Sequence, residues 1–273
     1  MVIFPKAKIN LGLRITNRRS DGYHDIETVF YPAGLCDALE FVEAGEGSHM
    51  DTLTVTGIDV GIGSGDNIVL KALNRLRKDN DFPWVKIHLH KAIPHGAGLG
   101  GGSSDAACIL KAVNRHFVLG LSDNDLKAIA LEIGSDCPFF IDCKPAYATG
   151  RGEKMDAVSG VLGGYYLVIA NPGVGISTKE AYAACSPRVP DESLRQIVTH
   201  EIHEWKNMML NDFEDFAFKK FPVIEKIKNE MYNKGAIFSL MSGSGSSVYG
   251  IFTARPVIRS GILRGLITWQ GEL

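Results

Sequence analysis

The sequence predicts an α+β fold, a sandwich of strands and helices, and three observations carry that expectation. Stretches whose apolar residues recur at every second position alternate along the chain with stretches of helical periodicity. The composition, 45% apolar and 22% charged, supplies a core of ordinary globular kind. The chain also changes character across residues 160–164, so a boundary is expected there between domains of residues 1–159 and 160–273.

Taken in order, "KINLGLRI" alternates strictly, with Ile9, Leu11, Leu13 and Ile15 on one face and Lys8, Asn10, Gly12 and Arg14 on the other. It reads as a half-buried strand carrying Lys8 and Asn10 about 7 Å apart on its second face. Read alone, that lysine is a solvated one. "RRSDGYH" is a turn on Asp21 and Gly22 that delivers Tyr23 and His24 to the next extended segment. "GIGSGDNIVLKALNRLRKDN" is a glycine turn followed by an amphipathic helix with Ile68, Ala72, Leu73 and Leu76 at helical spacing, capped by Asp66 or Asn67. "WVKIHLHKAIP" is a second strand, with Val85, Ile87 and Leu89 inward and Lys86, His88 and His90 outward. The two histidines lack a third ligand, which favours a solvated face over a metal site.

Residues 94–107, "PHGAGLGGGSSDAA", follow that strand and lead into a helix with Ala106, Ile109, Leu110, Val113 and Phe117 on its buried stripe. The helix is expected to begin at Ser103, Ser104 and Asp105. A shorter helix over residues 123–134 leads into "GSDCPFF", and "AYATGRGEKMDAV" reads as a hairpin through Gly150, Arg151 and Gly152. The second half continues with the strand "YYLVIANP", a helix, a polar stretch, and helices containing "NDFEDFAFKKF" and "PVIEKIKNEMYNKG". Two strand-like pieces around "SLMSGSGSSVYGIF" and a short tail without an assigned role close the chain. "HEIHE" at residues 200–204 has its histidines three apart, which is the wrong spacing for a zinc helix.

Charge and cysteine usage exclude several classes. A net charge of -2 argues against a general binder of nucleic acid or anionic membrane. Five widely spaced cysteines without a C-x-x-C pair suit reduced thiols in a cytoplasmic protein, not a disulfide framework or zinc site. Lys6 and Lys8 interrupt any signal peptide, and the longest apolar run, "VLGGYYLVIA", is too short to cross a bilayer.

The glycine segment has two readings, a flexible loop or a backbone cradle for phosphates. Gly96, Gly98 and Gly101 satisfy G-x-G-x-x-G, yet a dinucleotide site is excluded because residues 91–95 separate the strand from the first glycine. The acids at the expected distance, Asp123 and Asp125, open a helix instead. No Gly-Lys-Ser/Thr closes the loop, and protein-kinase signatures are absent. Glycines let N–H groups turn toward an anion, and a helix start adds unpaired donors and partial positive charge. Ser103 and Ser104 add hydroxyls for phosphate, and one of them could face magnesium. The position between a well-patterned strand and helix favours the cradle. The second glycine–serine turn, residues 242–247, fits either a clamp on the same ligand or a tight β-turn.

"PKAKINLGLRI", residues 94–107 and "MSGSGSSVYGIF" are similar, in that order, to the three motifs of the GHMP kinases, and the likeness spans nearly the whole chain. Within that superfamily, "RSDGYHDIETVF", "IGSDCPFF" and "PGVGIST" resemble the branch that acts on a cytidine diphosphate-linked methylerythritol. The resemblance implies a two-domain GHMP kinase fold, with an N-terminal domain like domain 2 of ribosomal protein S5 and a ferredoxin-like C-terminal domain. It also implies ATP as co-substrate with magnesium, and transfer of the γ-phosphoryl group to a tertiary hydroxyl in the non-mevalonate route to isoprenoid precursors. Asp136 then accepts or orients the hydroxyl proton, Lys8 holds Asp136 ionised, and Asn10 positions the diol. Pro94, Gly96, Gly98, Leu99, Gly100, Gly101, Gly102, Ser103 and Ser104 hold the phosphates, with Asp66 and Asn67 at the adenosine end. Tyr23, His24 and Tyr182 receive the cytosine, with Thr178 nearby. Gly175 and Ser177 stand where many members carry serine and proline, Tyr182 replaces a phenylalanine, and no carboxylate is clearly placed for magnesium. A monomer or weak homodimer is expected, with neither nucleic acid nor membrane as partner.

Overall fold

The computed structural model describes residues 1–59, 67–259 and 261–273. In chain order the strands are β1 (Val2–Ile3), β2 (Lys6–Arg18), β3 (His24–Cys36), β4 (Ala38–Glu43), β5 (Thr52–Gly57), β6 (Val85–Lys91), β7 (Ala146–Thr149), β8 (Lys154–Ala157), β9 (Tyr166–Ala170), β10 (Phe238–Met241), β11 (Val248–Phe252) and β12 (Ile267–Glu272). The helices are α1 (Ile68–Arg77), α2 (Gly101–His116), α3 (Asp123–Ile133), α4 (Phe139–Asp142), α5 (Thr178–Ala184), α6 (Leu194–Ile197), α7 (Trp205–Met208), α8 (Glu214–Lys220) and α9 (Pro222–Asn233). Among the described residues, no helix is long and apolar enough to cross a membrane.

Two compact units result, each discontinuous in sequence. The division expected at residues 160–164 is one of chain order; the first compact unit instead lies wholly within residues 1–143, and the second joins two segments of that stretch to everything from Lys144 onward. One unit comprises Met1–Ala7, Leu35–His95 and Gly100–Cys143, the other Lys8–Gly34, Gly96–Leu99 and Lys144–Leu273.

The first unit holds a sheet of order β1-β4-β6-β5, in which β5 runs parallel to β6 and the other pairs are antiparallel. β6 keeps its expected alternation, with Val85, Ile87 and Leu89 buried and Lys86, His88 and His90 exposed. Helices α1, α2 and α3 pack on one another. Asn67 caps α1, its Oδ1 accepting from Val69 N at 2.9 Å. The buried stripe of that helix is Val69, Ala72, Leu73 and Leu76, so Val69 takes the place expected of Ile68. A reciprocal capping box between Ser122 and Asp125 starts α3. α2 begins at Gly101, two residues before the expected start, because both glycines already have helical geometry.

The second unit contains two sheets, β2-β3-β7-β8 and β10-β11-β9-β12. The latter has all neighbours antiparallel, and its order is that of a ferredoxin-like βαββαβ unit whose second crossover is reduced to a 3₁₀ turn at Ile262–Gly265. Its α9 starts on Pro222, where a missing N–H costs nothing, and buries Ile224, Ile227 and Met231 against Val168, Ala170, Val248 and Phe252. The tail, which had no expected role, forms the edge strand β12, with Trp269 lying against Gly34.

The strand expected to be half buried is buried on both faces. Lys8 is 4% exposed, Asn10 1% and Arg14 8%. Polar side chains survive there because they are paired: Arg14 donates to the carbonyls of Glu192 and Met208 and lies 3.7 Å from Glu27.

Candidate active site

The glycine segment is an ordered loop, anchored through three successive carbonyls. Ala97 O accepts from Ser247 N at 3.2 Å, Gly98 O from the Ser242 hydroxyl at 2.8 Å and Leu99 O from Lys8 N at 2.9 Å. In a planar trans peptide the N–H points opposite to its carbonyl. Tying those carbonyls to the protein therefore turns the N–H groups of Gly98, Leu99 and Gly100 away from the partners of those carbonyls. Gly96, Gly98 and Gly100 take positive φ values of 61°, 76° and 70°. At Gly98 a side chain is also excluded by contact, since a Cβ would lie inside the shell of the Ser242 carbonyl oxygen and 2.8 Å from its carbon.

The predicted phosphate residues divide by burial. Pro94, Gly96, Gly98, Gly100, Gly102 and Ser103 are exposed or half exposed, whereas Leu99, Gly101 and Ser104 are buried. Ser104 Oγ has no hydrogen-bond partner and lies beside the Cys108 thiol. Ser103, on the open side of the first turn of α2, has its hydroxyl beside Cys137, whose thiol is pushed up to about 11 by burial. The residue before Cys137 is Asp136, half exposed in the turn between α3 and α4. The start of α2 and the predicted acid–base residue thus share one unit and one neighbour. Asp66 lies outside the described residues.

In the second unit, Lys8 and Asn10 form a buried polar chain. Lys8 Nζ donates to Asn10 Oδ1 at 2.5 Å and lies 5.0 Å from the centre of the Phe30 ring. Asn10 Nδ2 donates to the Thr28 hydroxyl at 2.9 Å, and that hydroxyl donates to Gly12 O at 2.6 Å. Both ends of the Asn10 amide are therefore engaged, and the Lys8 ammonium is held in one place. The second glycine–serine turn closes onto the same group through Ser242 and Tyr249, whose hydroxyl donates to Asn10 O at 2.9 Å.

The predicted nucleoside residues also gather within this unit. His24 stacks on Tyr182 with ring centres 5.0 Å apart and planes at 19°. Thr178 and Tyr182 lie four residues apart on α5, and the Thr178 hydroxyl is 3.2 Å from Ser244 Oγ. Tyr23, exposed beside the β2–β3 turn, carries the Arg151 guanidinium 4.9 Å from its ring centre. Gly150 O accepts from Ile26 N at 2.7 Å and fastens that hairpin tip.

Two contributors were not foreseen. Asn211 donates to both Met241 O and Gly243 O at 2.8 Å and accepts from Phe213 N at 3.0 Å, and so clamps the entry of the second turn. The sequence signal was the polar pair Asn211 and Asp212 at the head of a segment read only as a helix. Arg151 was read only as a turn residue.

A glycine loop with left-handed backbone that leads into a helix start is the kind of segment that receives phosphates, and it points to the class of small-molecule phosphotransferases. Models of the GHMP kinases N terminal domain and the GHMP kinases C terminal match residues 67–143 and 193–260, and the chain belongs to the GHMP kinases. More particularly, it is 47% identical to the 4-diphosphocytidyl-2-C-methyl-D-erythritol kinase of Parabacteroides distasonis, over 100% of both chains. It is 42% identical to the enzyme of the same name from Porphyromonas gingivalis, over 99% of this chain and 98% of that one. A crystal structure of 4-(cytidine 5'-diphospho)-2C-methyl-D-erythritol kinase superposes with a TM-score of 0.77 at 32% identity, covering 92% of this chain and 90% of the other. The mevalonate kinase of Methanococcus jannaschii, at 16% identity and a TM-score of 0.64, shares the fold.

Proposed function

We propose that this chain transfers the γ-phosphoryl group of ATP to the 2-hydroxyl of 4-diphosphocytidyl-2-C-methyl-D-erythritol, a step toward isoprenoid precursors outside the mevalonate route. The observation that carries this reading is the loop whose carbonyls 97–99 are tied down, so that its N–H groups face away toward an anion. Phosphoryl transfer proceeds through a loose transition state, so fixed donors and positioning supply most of the acceleration. Asp136 takes the hydroxyl proton as the oxygen bonds to the γ-phosphorus. The bond to the β–γ bridging oxygen breaks, and ADP leaves with its electron pair. Lys8 supplies the cation that stabilises the developing alkoxide. Asn10, its amide already engaged, orients Lys8 as well as the diol.

His24, Tyr182, Thr178 and Tyr23 receive the cytidine end. A magnesium ion would neutralise phosphate charge, and Ser103 is the hydroxyl suited to it, since Ser104 is wholly buried. Such an ion usually takes one or two protein oxygens beside phosphates and waters. This fits a chain in which, among the described residues, no cluster of three or more His, Cys, Asp or Glu side chains could hold a metal. The cytoplasm, where ATP is made available, is the proposed location, and a monomer or weak homodimer the proposed state.

A coupled ADP-release assay tests the reading. Wild type turns over the cytidyl alcohol, and Asp136→Asn falls by about a hundredfold or more. Phosphorylation of homoserine or mevalonate in its place would refute the substrate, and near-normal turnover by the variant would refute the base.

A further inference from the structure

The alternation of β6 continues two residues beyond Leu89, its last apolar position, and this places Lys91 on the inward face at 5% exposure. Its Nζ pairs with Asp37 Oδ2 and donates to Asp105 Oδ2 at 2.7 Å. Asp37, between β3 and β4 and 1% exposed, accepts with its other oxygen from Ala92 N at 2.6 Å and Ile93 N at 2.9 Å. Asp105 lies one turn inside α2 at 2% exposure, and its Oδ1 has no partner. A Cβ added at Gly101 would meet Lys91 Nζ at 3.2 Å and Ile93 Cγ2 at 2.8 Å, so the helix start rests directly on this group.

One ammonium and two carboxylates in a buried place are a poor source of stability, because desolvation offsets most of their attraction. Their location is more informative. Lys91 ends the strand before the glycine loop, Asp105 belongs to the helix after it, and Asp37 grips the N–H groups of Ala92 and Ile93, which join the strand to the loop. We propose that Lys91, bridging Asp37 and Asp105, is a positioning residue that sets how the glycine loop enters α2, and hence which N–H groups are offered to the nucleotide phosphates. This rests on the reading of that loop as the ATP site.

Burial pushes the Asp105 carboxyl up to about 8; Lys91 opposes that shift and Asp37 reinforces it. The groups facing Asp105 are Lys91 from β6, Asp37 from the β3–β4 connection and Cys108 from α2, with Lys111 and Cys143 beyond Cys108. Above that pH the triad gains a surplus negative charge beneath an anion site.

Calorimetric titration of ATP, independent of turnover, tests this, with cytidine diphosphate as the control ligand. Lys91→Met combined with Asp105→Asn removes the bridge without leaving an ammonium or two carboxylates uncompensated. ATP affinity is expected to fall about tenfold, with cytidine diphosphate affinity within twofold. Equal ATP binding by wild type and the double variant, or equal loss of both ligands, overturns the proposal. Wild type that binds no ATP overturns the loop reading and the proposal with it. Should the double variant not fold, Asp105→Asn alone decides: wild-type ATP affinity declines between pH 7 and 9 and the variant's does not, whereas identical profiles overturn the proposal.

Discussion

Replacing Gly98 by alanine isolates the contact between the two glycine turns. A non-glycine residue at its φ of 76° costs about 1–2 kcal/mol. The added Cβ would overlap the Ser242 carbonyl and approach Gly245 N to 3.3 Å, both backbone atoms that cannot rotate away. Moving them costs about 1–3 kcal/mol on the scale of overpacked interiors. Loss of the 2.8 Å bond from the Ser242 hydroxyl to Gly98 O adds about 1 kcal/mol. The sum is about 3–6 kcal/mol, or roughly 5–10 °C in melting temperature for a chain of this size. Gly96→Ala is the control. Its φ of 61° is also left-handed, but nothing lies within 4 Å of the added Cβ, so the cost is about 1–2 kcal/mol. Scanning calorimetry of both variants, with steady-state KM for ATP, is the assay. Gly98→Ala should melt well below Gly96→Ala and lose ATP affinity as its N–H groups are re-aimed. Equal melting points for the two variants would show that the Ser242 contact does not govern the loop.

Three further outcomes are expected. Asn211→Ala strips three buried hydrogen bonds from the second turn and should lower stability by about 3 kcal/mol, read by urea denaturation; a loss below 1 kcal/mol would contradict the clamp. Tyr182→Ala should raise KM for the cytidyl substrate about tenfold through loss of a stack worth about 1–1.5 kcal/mol, and Tyr182→Phe should not; a parallel rise in KM for ATP would argue against a nucleoside role. Because Asp105 is raised from 3.8 to about 8, the folded chain keeps a proton that the unfolded chain releases between those values. Its contribution is full below about pH 4 and is lost as pH rises through 8. Melting temperature measured from pH 5 to 9 should fall less steeply in Asp105→Asn, and matching slopes would refute the assignment.

Much of the local structure was legible because it depends on neighbours in sequence. The two-residue period of residues 85–89, the turn at Asp21 and Gly22, and the cap of α1 at Asn67 follow from side-chain alternation, backbone freedom and unpaired N–H groups. The left-handed glycines of the loop were legible for the same reason, whereas the role expected of Asp136 came only from the resemblance to a family. Tertiary structure decided what depends on partners distant in sequence. Lys8 and Arg14 looked like solvated charges on an open face, but that face is buried, and Arg14 finds its hydrogen-bond acceptors at Glu192 and Met208, far away in sequence. The alternation that placed His88 and His90 outward already placed Lys91 inward, but a buried lysine becomes intelligible only when Asp37 and Asp105 arrive from other segments. Period and propensity therefore specified each element. Which charges could be buried was a property of the folded neighbourhood, because a charge leaves water only where its partner is already in place.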